Sequence, residues 1–301
     1  MVSDPRRILG LGEVLWDLLP PGKQLGGAPA NFAYMSALLG HRSVVASRVG
    51  ADPLGDELRE RLARLGLDGS YLQVDPAHAT GTVRVRLDRQ GQPSYEITQG
   101  AAWDFLEWTR SWQDLAAQAD VICFGSLAQR SDAARGTIRA FLRATRADAI
   151  RIFDVNLRQD FFSPETLAQS LRLARVAKLN DTELPVVARL LGCDRGDEKS
   201  SAERLRREFR LELVCLTRGS RGSLLVGESE SDEHAGFAVR VTDSVGAGDA
   251  FTAALAHHLL KGSSLRVMNE AANRMGAWVA SQSGATPAPE PALLEAVRSG
   301  A

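Results

Sequence analysis

The sequence predicts an α/β fold: a mainly parallel central sheet with helices on both faces, plus a small β-sheet standing off it. Three observations carry this expectation. From residue 112 onward, short apolar strands alternate with amphipathic helices, the rhythm of βαβ units. Polar residues gather just after those strands, at the carboxyl ends where open parallel sheets bind ligands. Residues 81–97 break the rhythm with a hairpin whose apolar and charged residues alternate strictly, leaving one wet face.

Taken in order, residues 8–12 form an apolar strand, and Leu18-Leu19-Pro20-Pro21-Gly22 makes a turn. The paired glycines of Gly26-Gly27-Ala28-Pro29-Ala30-Asn31 make a tight bend before a helix, with Pro29 suited to its first turn and Gly40 ending it. On its own, Asn31 reads as a helix cap. A strand over 43–49 and an amphipathic helix over 54–65 follow, and then the hairpin, which turns at Gln90-Gly91-Gln92-Pro93. Beyond it, strands are expected at 121–125, 150–154, 176–179, 213–217 and 223–226, with helices at 131–144, 164–174, 182–191 and 198–209. Alternation over 237–241 predicts one more strand, and 250–260 one more helix.

Composition narrows the function. The chain has 301 residues, 44% hydrophobic and 24% charged, with a net charge of -1. No basic stripe invites nucleic acid, and no apolar run is long enough to cross a membrane. The N-terminus lacks the apolar core of a signal peptide, and Cys123, Cys193 and Cys215 are far apart and odd in number. The expectation is a cytoplasmic protein with reduced, buried thiols. The five histidines have no metal-ligand spacing.

The stretch Asp243-Ser244-Val245-Gly246-Ala247-Gly248-Asp249 is expected to turn from that last strand into the last helix. Gly246 and Gly248 let a ligand approach the backbone, and the unpaired amides of the helix start favour an anion, phosphate above all. Asp249 in the first turn could take a proton from a hydroxyl attacking that phosphorus. By itself the same stretch is also an ordinary turn and cap. Arg158 offers a fork for phosphate, or a surface ion pair. Asn180 and Glu183, at one strand-to-helix junction, suit Mg²⁺ through water, or a cap followed by an acid. Neither a P-loop lysine nor a dinucleotide-binding glycine fingerprint is present.

With these motifs assembled, the chain resembles the ribokinase-like (PfkB) carbohydrate kinases. Gly26-Gly27-Ala28-Pro29-Ala30-Asn31 resembles the family's N-terminal signature, and residues 243–249 its C-terminal one, with Ser244 where Thr is usual. Asn180-Asp181-Thr182-Glu183 matches its Asn-x-x-Glu element, and Gly50-Ala51-Asp52-Pro53-Leu54-Gly55 a further shared stretch. Gly12-Glu13-Val14-Leu15-Trp16-Asp17, Ala101-Ala102-Trp103-Asp104 and Phe153-Asp154-Val155-Asn156-Leu157-Arg158 look most like bacterial fructokinases.

The resemblance implies one domain over 1–301, with a lid from about 14–25 and 81–103 that in relatives can also join two subunits into a homodimer. It implies ATP with Mg²⁺ as phosphate donor and a small sugar as acceptor. Asp249 would be the base, with Gly246, Ala247, Gly248 and Arg158 around the transferring phosphate. Asp17, Gly27 and Asn31 would bind sugar hydroxyls. Asn180, Thr217, Gly219, Gly222, Asn273 and Gly276 would serve the nucleotide, and Glu183 the Mg²⁺. Asp243 and Val245 would lie at a monovalent cation site, for K⁺. Fructose is the expected sugar. 2-Keto-3-deoxygluconate, ribose or a nucleoside are the alternatives, with Arg84, Arg86 and Arg89 of the hairpin available to a carboxylate. A binding protein without activity is the alternative of a different class, and it would have no need of Asp249.

Overall fold

Apolar strands pair into one nine-stranded sheet among the described residues of this computed structural model, which are 5–19, 22–87 and 93–300. In chain order the strands are β1 (Arg7–Leu11), β2 (Leu15–Leu19), β3 (Gly22–Gly26), β4 (Arg42–Gly50), β5 (Leu72–Asp75), β6 (Gly81–Leu87), β7 (Pro93–Ile97), β8 (Val121–Phe124), β9 (Ile150–Asp154), β10 (Val176–Asn180), β11 (Leu213–Thr217), β12 (Ser223–Val226) and β13 (Ser231–His234). The helices are α1 (Ala28–Leu38), α2 (Pro53–Arg64), α3 (Arg110–Gln118), α4 (Asp132–Ala144), α5 (Pro164–Leu173), α6 (Glu183–Leu190), α7 (Glu198–Phe209), α8 (Ala247–Lys261), α9 (Leu265–Ala280) and α10 (Pro291–Ser299).

The large sheet runs β13-β12-β11-β10-β9-β8-β1-β4-β5. Every pairing from β5 across to β11 is parallel, and β12 and β13 are added antiparallel at one edge. Successive side chains of a strand point to opposite faces, so each face has its own core. On one, Leu9, Leu11, Phe124 and Phe153 pack beneath α3 to α7. On the other, Ile8, Ile152, Val176 and Leu225 pack beneath α1, α2, α8, α9 and α10. Local chemistry starts the helices as the sequence suggests. Asp52 caps α2 by accepting from the Gly55 amide at 2.8 Å, with Pro53 in its first turn. α1 and α8 pack together in this core, and side-chain hydrogen bonds link them near both ends: one at their N-terminal ends, and one where His41, just after α1, bonds His257 over 2.9 Å. Among the described residues no helix is long and apolar enough to cross a membrane.

The strand expected at 237–241 is absent. Its alternation is real, but among the described residues β13 is the last strand at that edge of the sheet and the segment does not pair with it. Val239 and Val241 are 41% and 60% exposed there. The sequence reading also passed over α3, α9, α10, β5 and β13. Cys123, Cys193 and Cys215 are buried and unpaired, as expected.

The alternating hairpin does leave the main sheet. β6 and β7 join β2 and β3 in a second sheet ordered β3-β2-β6-β7, with β2 and β6 parallel. Val83 and Ile97 are opposite partners and buried, while Arg84 is exposed, which is the period-two pattern in space. Arg89 and the turn at 90–92 lie outside the described residues, as do Pro20 and Pro21.

One buried cation fastens this sheet to the body. Arg130 stacks over Trp103 at 3.9 Å and Phe161 at 4.8 Å. Its Nε and Nη2 each donate to a carboxylate oxygen of Asp104 at 2.7 Å, and Nη2 also reaches the Thr98 carbonyl at 2.6 Å. Trp103 in turn lies so close to β6 that a Cβ on Gly81 would come within 2.3 Å of its indole nitrogen. Both charges of the pair are buried, so removing one strands the other in low dielectric. Asp104→Ala is therefore expected to cost about 3–5 kcal/mol in urea unfolding. A loss near about 1 kcal/mol, the size of a surface pair, would contradict this.

Candidate active site

Two helices begin side by side at the carboxyl ends of the parallel strands, and glycine makes each start possible. The bend before α1 is tight on both sides. A Cβ on Gly26 would fall 2.2 Å from Asp17 Oδ2, and one on Gly27 would fall 2.6 Å from the Glu13 carbonyl, at a φ of 105°. The bend before α8 turns at Gly246, φ 80°, where a Cβ would press on Ala285 at 2.6 Å. A Cβ on Gly248 would fall 2.9 Å from the Lys178 ammonium. Each of these four glycines thus yields its space to a particular neighbour.

Asn31 does not cap α1. Gly27 holds the cap position with no side-chain bond, and Asn31, inside the first turn, donates from Nδ2 to Asp249 Oδ2 at 2.8 Å. Its Oδ1 is buried without a partner among the described residues, as is Glu13 Oε2. These are acceptors that a hydroxyl-rich ligand would satisfy.

Burial dominates the electrostatics. It pushes the Asp249 carboxyl up to about 6, reinforced by the charge of Asp154 and opposed by the Asn31 hydrogen bond, Lys178 and Arg158. Burial likewise takes Glu13 to about 7 and Asp17 to about 6, each held back by Arg158. Arg158 itself is exposed, in a loop where Asn156 and Gln159 adopt φ of 46° and 47°. Left-handed non-glycine residues of this kind mark a loop whose surroundings impose its shape. Gln159 helps line a cleft of about 420 Å³ that Arg84, Glu96, Ile97, Thr98 and Gln99 complete from the second sheet. Its size suits a small polar ligand.

Asn180 and Glu183 brace each other. Asn180 Oδ1 accepts from the amides of Thr182 and Glu183, and Glu183 Oε2 accepts from the Asn180 amide at 2.9 Å. Glu183 Oε1 accepts from the Leu157 amide at 2.9 Å, tying α6 to the loop that carries Arg158. With each oxygen accepting one amide, Glu183 fits Mg²⁺ through water, a mode this ion favours. Among the described residues no group of three or more His, Cys, Asp or Glu is arranged as a metal cage.

The remaining expected residues fall into three groups. Thr217 ends β11, and Gly219 and Gly222 follow it. Gly222, at φ 79°, lies so close to β13 that a Cβ would meet the His234 carbonyl at 1.9 Å. Asn273 and Gly276 lie on α9. Asn273 donates to Ser223 Oγ at 2.6 Å and to Asn269, so its amide is committed inward, and Gly276 lets α9 approach the Ala247 carbonyl. Asp243 accepts from the Val245 and Gly284 amides at 3.0 and 3.2 Å, joining the turn before α8 to the loop after α9.

The sequence reading missed Glu13, Asp154, Lys178 and Thr252. A signal existed for two of them. A carboxylate in Phe153-Asp154-Val155 and an ammonium in Ala177-Lys178-Leu179 are out of place in strands buried on both faces.

Comparison with known proteins places the chain in a family. The model of the pfkB family carbohydrate kinases matches residues 20–293. A fructokinase of Escherichia coli is 34% identical over 259 residues, 81% of each chain. Among solved structures, an uncharacterized sugar kinase, PH1459, of Pyrococcus horikoshii superposes with a TM-score of 0.83 at 28% identity, over 96% of this chain and 97% of that one. A double-mutant fructokinase of Vibrio cholerae, solved in a fructose, ADP and potassium ion bound form, gives 0.81 at 28% identity, over 97% and 98%. Both glycine-built helix starts and the strands of the large sheet from β4 onward fall within the matched residues, and the chain belongs to the pfkB family of carbohydrate kinases.

Proposed function

We propose that this carbohydrate kinase is an ATP-dependent fructokinase that phosphorylates the primary 6-hydroxyl of D-fructose. The observation that carries the reading is the Asn31–Asp249 hydrogen bond at the start of α8. It joins a candidate base to a candidate sugar ligand where a helix start favours phosphate. The choice of fructose rests on the relatives, among them the Vibrio cholerae enzyme bound to fructose and ADP.

In this reading Asp17, Gly27 and Asn31 orient the sugar hydroxyls. Asp249, ionised, accepts the proton of the 6-hydroxyl as its oxygen bonds to the γ-phosphorus. The bond from that phosphorus to the β,γ-bridging oxygen breaks, and ADP leaves. The amides of Gly246, Ala247 and Gly248 and the guanidinium of Arg158 stabilise the transferring phosphoryl group. Thr217, Gly219 and Gly222 border the nucleotide, and Asn273 and Gly276 support it from beneath. Mg²⁺ bound with ATP would neutralise phosphate charge, held through water by Glu183 and the Asn180 junction. A monovalent cation such as K⁺ would sit by Asp243 and Val245. The second sheet would act as a lid, and a homodimer formed through it in the cytoplasm is part of the same proposal.

A second reading has one observation in its favour. Arg84 is exposed on the cleft, where it could pair with the carboxylate of a keto-deoxy acid. Initial rates with saturating Mg-ATP decide between them. Fructose is expected to give the highest kcat/KM. A tenfold advantage for 2-keto-3-deoxygluconate or ribose would overturn fructose and leave the kinase.

Two further outcomes follow from the buried carboxylates. Asp249→Asn is expected to lower kcat at least about a hundredfold while calorimetry finds fructose and ATP still bound. In the unaltered enzyme, kcat/KM should rise as pH climbs through about 6 and Asp249 ionises. Wild-type turnover in the variant, or a rate flat from pH 5 to 8, would remove Asp249 as base.

Stability should run the other way. Carboxyls whose folded pKa is raised add stability below the unfolded value, near 4, and lose it as pH rises to about 7. Glu13→Gln should therefore raise the melting temperature at pH 8, by about 2 °C or more, and leave it unchanged at pH 4. A lower melting temperature at pH 8 would show that the Glu13 anion is stabilising.

A further inference from the structure

β9 and β10 run in parallel with Asp154 and Lys178 as direct cross-strand partners. The two side chains are buried, and Lys178 Nζ donates to Asp154 Oδ1 at 3.1 Å. The other carboxylate oxygen accepts from Thr252 Oγ1 at 3.2 Å, and that hydroxyl also lies 2.9 Å from the Gly248 carbonyl. The ammonium occupies the space beside Gly248 that a Cβ would invade. The pair therefore touches the first two turns of α8 on both sides of Asp249, once at Gly248 and once at Thr252.

A buried ion pair is a weak source of stability, since apolar residues of the same volume often serve as well. Its contacts here point to a different task. We propose that Asp154 and Lys178 are positioning residues for phosphoryl transfer. Through Thr252 and Gly248 they hold the first two turns of α8 in place, and as opposed charges beneath them they balance the field at Asp249. The proposal rests on the reading of Asp249 as the base.

The groups that face Asp249 have separable signs. Glu13 from the β1–β2 link and Asp154 from β9 disfavour its anion. Lys178 from β10, Arg158 beyond β9 and the Asn31 amide from α1 favour it. Cys123 of β8 also faces it, with a thiol that burial keeps protonated. Deleting one member of the pair at a time should move the base in opposite directions, which the loss of a purely structural brace would not do. Lys178 also approaches Glu183, so both variants are read with Mg-ATP saturating.

The test is the pH dependence of kcat/KM for fructose in Asp154→Asn, Lys178→Met, the double variant and Thr252→Val, after thermal melts of each. Asp154→Asn should move the acidic limb down by about one pH unit, and Lys178→Met should move it up by a similar amount. The double variant should return it close to its original place with a lower kcat. Thr252→Val, which removes no charge, should lower kcat severalfold with the limb unmoved. Limbs that stay in place in both single variants, or move in the same direction, overturn the proposal. Should Asp154→Asn not fold, Lys178→Met decides alone: a limb that stays or falls overturns it. Asp249→Asn serves as the control. If it keeps turnover, the base assignment has failed; if it loses turnover while the limbs stay put, only the role of the pair has failed.

Discussion

The hydrogen bond from Asn31 to Asp249 spans 218 residues of sequence and is the contact that the site depends on. It exists because two helices start at the same level above one sheet. That alignment needs α1 to lie directly on β1, where a side chain at Gly10 would collide with the Pro29 carbonyl at 1.9 Å. It also needs α8 to lie close against α9, which Gly276 permits. Glycines far from the chemistry thus set the height of the two helix starts. The parallel sheet supplies the rest, since it brings the ends of β1, β9, β10 and β11 to the same edge.

Burial gives the site its reactivity and its cost. A carboxylate in water is a weak base with its proton long gone. Asp249, shut away from water and close to Asp154, holds a proton more strongly and is a better acceptor near neutral pH. Glu13 and Asp17 share that confinement. A fold tuned only for stability would not bury so many acids near one another. Arg158 and Lys178 offset part of the repulsion. They do so from different depths, one exposed to solvent and one buried in the sheet.

Much of this was legible in the sequence because it depends on local rules. Glycine at a strand-to-helix turn, the period of the 81–97 hairpin and the βαβ rhythm each identify an element without reference to its neighbours. What was not legible depends on partners. The alternation at 237–241 looked like a strand, but a strand also needs a partner, and among the described residues this segment pairs with none. Asn31 looked like a cap because nothing nearby revealed Asp249. Asp154 and Lys178 become a pair only once the register of β9 and β10 is known. Asn180 and Glu183 allowed both a cap and a ligand reading. The reciprocal bonds that resolve their local role are a matter of angstroms that spacing alone does not fix.

The contact between His41 and His257 lies at the ends of α1 and α8 away from the chemistry. With Asn31 and Asp249 bonded at the near ends, the two helices are fastened top and bottom, like the rails of a ladder with both end rungs in place. Neither rail can slide or pivot without breaking a rung inside the packed core they share. In the proposed mechanism Asp249, as the proton acceptor, would therefore belong to the fixed body. A closing motion would belong to the second sheet, next to which Arg130 is anchored, and would bring the reacting hydroxyl to Asp249.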